Sequence, residues 1–183
     1  LWNSSADVEA LKRDFYEKAF GPAAEAMRTY YERVDLANTP LVGPAFSRQC
    51  LDDLDRARAA AAGRPDVEDR IDQRRLYHVY VYLFNKVQVK KGEKISPEKR
   101  QSALDLLAWT YRLRNTYMIF WSFFADQTTR RMAKEYDEPT WDWYQMHRDK
   151  RADQIPYRTT AAPPSREETD RWFARMKKEY GEV

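Results

Sequence analysis

Glycine is scarce and scattered in this chain. The five glycines fall at positions 21, 43, 63, 92 and 181 of 183 residues, too far apart for a phosphate-cradling loop or a dinucleotide fingerprint. Cys50 is the single cysteine, which excludes an intrachain disulfide and predicts a small buried apolar residue. With His78 and His147 it completes the soft-ligand inventory. There is no Glu-x-x-His pair and no calcium-loop spacing, so neither a metal nor another cofactor is expected. No apolar run approaches the ~20 residues of a membrane span, and no basic-then-apolar leader opens the chain. A single-sign field is also missing, because 32 basic and 29 acidic residues are interspersed to a formal charge of +3. Neither nucleic acid nor a membrane is therefore an expected partner. The start at Leu1 instead of methionine predicts an excised domain or a processed chain.

What is present is a mixture of 14% aromatic and 33% charged residues, as expected where apolar stripes alternate with solvated faces. Val8, Leu11, Phe15 and Ala19 recur at helical spacing and predict a first helix with that stripe toward a core, capped by Ser4 or Ser5. Gly21 and Pro22 then form an abrupt joint: glycine ends one helix in a left-handed conformation and proline opens the next. Ala23, Met27, Tyr30, Tyr31 and Val34 continue as a second stripe. Cys50, Leu51, Leu54, Ala57 and Ala61 mark a third helix stopping near Gly63. Pro65 opens a fourth that runs to about Val89, apolar over so wide an arc that two covered sides are expected. Ser96-Pro97-Glu98 starts a long fifth helix through Leu104, Leu107, Tyr111, Arg114, Met118 and Trp121. Ser165 and Glu168 fit a capping box ahead of a last helix with Thr169, Trp172, Phe173, Met176 and Tyr180 on its apolar face. The expected fold is all-α, about six helices in an irregular bundle with two long central helices. Residues 1–183 read as one helical domain: a main bundle over 1–136, an aromatic, proline-containing ordered loop over 137–164, and a C-terminal helix over 165–181.

No reaction centre stands out. Cys50 and His78 would be a nucleophile pair only with a third orienting group, which the spacing does not identify. Asp52, Asp53 and Asp55 read as surface charges, as do Lys90, Lys91 and Lys94. Arg74, Arg75, His78 and Asn85 lie on the largely apolar fourth helix, and Arg112, Arg114 and Asn115 on the fifth. Buried charges require partners, so these groups read as a hydrogen-bonded network between the two long helices. Trp141, Trp143 and Tyr144 read either as a plug at a core edge or as a stacking platform for a pyranose ring.

The segment Phe20-Gly21-Pro22-Ala23-Ala24, with Met27 and Tyr30-Tyr31 and preceded by Trp2-Asn3, resembles the helical region that follows the barrel in a bacterial family of uncharacterised glycoside-hydrolase-like proteins, similar in layout to α-glucuronidases. Arg74-Arg75-Leu76-Tyr77, the run Tyr111 to Met118, and Ile155-Pro156-Tyr157 look like later parts of the same region. The resemblance implies a non-catalytic accessory domain. Its partner would be a preceding barrel domain of the same chain, which would hold the catalytic acid and base, and carbohydrate or a second copy of the chain are further candidate partners. For the polar groups of the two long helices the resemblance implies an alternative to the internal network, in which some of them, His78, Arg112 and Arg114 first, face that barrel domain and contact a sugar carboxylate or hydroxyl. It also implies a periplasmic or extracellular parent protein. The competing reading is a free-standing helical module that binds a protein partner. A small helical enzyme using Cys50 or His78 is a third.

Overall fold

A computed structural model describes residues 7–36, 43–88, 95–113, 116 and 162–181, and the described residues form six α-helices with no strand. They are α1 (Val8–Phe20), α2 (Ala24–Leu36), α3 (Pro44–Ala60), α4 (Pro65–Lys86), α5 (Pro97–Arg112) and α6 (Arg166–Gly181), with a 3₁₀ turn at Gly21–Ala23 between the first two. The all-α expectation is met. Of the loop expected over 137–164, residues 137–161, and with them Trp141, Trp143 and Tyr144, lie outside the described residues, as do Arg114 and Asn115; α5 ends at Arg112 with Leu113 as its C-cap, short of the expected run to Trp121. None of the helices in the described residues is long and apolar enough to cross a membrane.

The local signals that end and begin helices act largely as their residue types dictate. Asp7 caps α1, its Oδ1 accepting from the backbone N–H groups of Glu9 at 3.0 Å and Ala10 at 3.1 Å. The cap is therefore this carboxylate and not Ser4 or Ser5. Gly21 leaves α1 at φ +45°, a region closed to most side chains, and its N–H bonds back to the Glu17 carbonyl. Pro22 then occupies a single 3₁₀ turn before α2 begins, so the joint is one turn longer than a direct helix-to-helix step. Ser96 caps α5 through Lys99 N–H at 3.2 Å. At the capping box of α6, Ser165 Oγ accepts from Glu168 N–H at 3.2 Å, and the Glu168 carboxylate accepts from Arg112.

The chain divides into two compact units, residues 1–78 with 169–183, and residues 79–168. In the first, Tyr16, Phe20, Ala23, Met27, Tyr30, Leu51, Leu54, Ala57, Val67, Ile71, Phe173 and Met176 are buried. The inward face of α1 is thus Tyr16 and Phe20, whose rings stand 5.9 Å and 6.1 Å from that of Tyr31 on α2. The stripe expected to face the core points the other way: Val8, Leu11 and Phe15 are 59%, 58% and 53% exposed. Two apolar faces compete on this helix. Tyr16 and Phe20 bring the larger rings to a neighbour that is itself aromatic, and that arrangement wins. In the second unit Val79, Tyr82 and Leu83 of α4 and Ala103, Leu106, Leu107, Trp109 and Tyr111 of α5 are buried. Along α4 the fully buried positions follow one helical face; from Arg75 to Leu83 no position is exposed, while Phe84 is.

Ion pairs join the helices of the first unit. Asp53 on α3 is fully buried, contrary to its reading as a surface charge. It accepts from Arg33 Nε of α2 at 2.7 Å and from Arg56 Nη2 one turn along α3. Beside it a continuous chain of opposite charges runs from Arg48 to Asp52, then Lys177 of α6, Asp55, Arg75 of α4, Asp72, Arg58 and Glu68. Lys177 Nζ stands 2.7 Å from both Asp52 and Asp55. Burial pulls the Asp52 carboxyl upward, but the hydrogen bond and charge of Lys177 outweigh it and hold the group below its ordinary range.

Substitutions at Gly21 and Asp53 separate backbone from charge effects. A Cβ at Gly21 would make only ordinary contact with Arg64, at 3.7 Å. Gly21→Ala should therefore cost about 1 kcal/mol through its positive φ alone, read as a lower urea midpoint at unchanged slope; an unchanged midpoint contradicts the strained joint. Asp53→Asn, which strands Arg33, should cost about 3 kcal/mol. Asp14→Asn, in an exposed pair with Lys18, should stay within about 0.5 kcal/mol. Equal losses for Asp53→Asn and Asp14→Asn would refute burial as the source of the difference.

Candidate functional site

His78 sits on the buried face of α4, where helical spacing from Ile71 and Arg75 carries it inward. Its Nε2 lies 2.9 Å from the Tyr30 hydroxyl of α2, and the two rings meet edge to face with centroids 5.5 Å apart. Burial first, and the Arg74 charge second, press the imidazole down to about 4 from its ordinary value. Neutral at pH 7, it pairs with a phenol that burial pushes in the opposite direction, upward. One proton shared between Tyr30 Oη and His78 Nε2 satisfies both groups without placing a charge in the core.

Cys50 is completely buried on α3, as its reading as a packed thiol requires. Burial pushes the thiol up to about 11 despite the nearby Arg33, so at neutral pH it is protonated and a poor nucleophile. The His78 hydrogen bond goes to Tyr30, which leaves the imidazole engaged elsewhere than with the thiol.

The arginines expected to bridge the two long helices reach other elements. Arg74 donates from Nε to the Tyr31 hydroxyl at 2.9 Å, its guanidinium 5.5 Å from that ring's centroid. Arg75, 4% exposed, lies between Asp55 of α3 and Asp170 of α6, the latter at 2.7 Å, with its guanidinium 4.2 Å from the centre of the Phe173 ring. Its Nε has no hydrogen-bond partner, consistent with a guanidinium placed flat against an aromatic face.

In the second unit, Arg112 at the end of α5 makes a fork on Glu168, Nη1 to Oε1 at 2.5 Å and Nη2 to Oε2 at 2.7 Å. Nε donates to the Ala162 carbonyl at 2.8 Å and Nη2 to that of Pro163 at 3.3 Å. This is the bidentate geometry for which a guanidinium is suited, and an internal carboxylate occupies it. The candidate sugar contacts His78 and Arg112 are thus both engaged within the fold and belong to different units. Arg114, Trp141, Trp143 and Tyr144 lie outside the described residues.

Asp53 and Tyr30 are the polar residues that sequence reasoning undervalued. Asp53 follows Cys50 by three residues and precedes Ala57 by four, so it stands on the apolar stripe itself, and that position was the available signal. Among the described residues no group of three or more His, Cys, Asp or Glu side chains is placed to hold a metal ion. No protein-family model, curated protein or solved structure matches the chain.

The buried imidazole makes stability depend on pH with a definite sign. Its folded pKa, about 4, lies below the ordinary 6.5, so the unfolded chain binds the extra proton first. The stabilisation is complete above pH 6.5 and declines as pH falls toward 4, by up to about 3 kcal/mol. Urea unfolding of the native chain and of His78→Asn across this range should show the steeper acid loss in the native chain; parallel curves rule the account out. For Arg112, replacement by leucine should cost about 2 kcal/mol and lower the melting temperature, and adding Glu168→Leu should recover part of the loss. An unchanged melting temperature in Arg112→Leu would reject the structural role and favour the sugar-contact alternative.

Proposed function

We propose that this chain is a non-catalytic helical accessory region of a glycoside-hydrolase-like protein, one that buttresses a barrel domain and shapes its carbohydrate cleft or a dimer interface. The observation that carries this reading is the use made of the groups capable of chemistry. Cys50 is a buried thiol whose pKa is raised, His78 is neutral and bonded to Tyr30, and the Arg112 fork is filled by Glu168. Asp53 and Arg75 are likewise matched by charges of the same chain. Such a distribution suits a scaffold whose polar residues set the packing of its helices. The sequence resemblance at the Phe20-Gly21-Pro22 joint supplies the kind of parent protein.

A second reading, a free-standing helical module that binds a protein partner, is favoured by the exposed stripe of Val8, Leu11 and Phe15 on α1. Apolar side chains gathered on one helix face commonly mark a contact surface.

Both readings place bond cleavage outside these 183 residues. The purified chain, incubated with nitrophenyl glycosides and glucuronides, should release nitrophenol at the buffer rate. Turnover that co-purifies with the protein and disappears in Cys50→Ala or His78→Ala would overturn both readings in favour of a small helical enzyme.

A further inference from the structure

We draw no further inference here: the strongest candidate, the exposed apolar stripe of Val8, Leu11 and Phe15 along α1, carries nothing more because nothing in the structure shows what covers it.

Discussion

A carboxylate removed from water must be answered by cations, and in the first unit the full burial of Asp53 imposes that demand on α2 and α3 together. Arg33 meets it from α2 and also donates to Gln49 at 2.7 Å, so one side chain ties α2 to two turns of α3. Once α3 is oriented by this contact, Asp52 and Asp55 lie along its edge toward Lys177 of α6, and Asp55 toward Arg75 of α4. The apolar residues Cys50, Leu51, Leu54 and Ala57 share one face of α3 with Asp53, so the burial that they require carries Asp53 inward with them, and Arg33 and Arg56 supply its counter-charges.

The same logic explains why polar groups on buried faces do not amount to a reactive site. Arg75, His78 and Arg112 each combine burial with a functional group that could bind a ligand. Each instead finds its complement inside the fold: carboxylates and an aromatic face for Arg75, a phenol for His78, and a carboxylate with two carbonyls for Arg112. A guanidinium with its fork filled by Glu168 would have to exchange a strong internal bond for any bond to a sugar carboxylate, which lowers its net gain from binding.

Much of the helical outline was legible because its signals are local. The joint at Gly21-Pro22, the cap at Ser96 and the stripe Cys50, Leu51, Leu54, Ala57 follow from backbone preferences and from 3.6-residue periodicity. Partner identity was less legible. Arg75 and Arg112 were readable as buried cations in need of carboxylates, yet the carboxylates come from α3 and α6 and not from each other's helices. Nothing in the spacing of residues 75 and 112 specifies Asp170 or Glu168, since those pairs are separated by most of a hundred residues or by several dozen, and a three-dimensional path brings them together.

What the sequence by itself determined is that the chain is helical, where several of its helices begin, and which residues recur on common faces, because capping, φ restrictions and periodicity act within a few residues. Tertiary structure alone decided which of two apolar faces of α1 turns inward, and it chose Tyr16 and Phe20 over Val8, Leu11 and Phe15. It also decided that Asp53 is a core residue and that the Glu168 carboxylate is the partner of Arg112. The physical reason is common to all three: each is a competition between mutually exclusive partners, and its outcome depends on which side chains distant in sequence arrive within bonding distance.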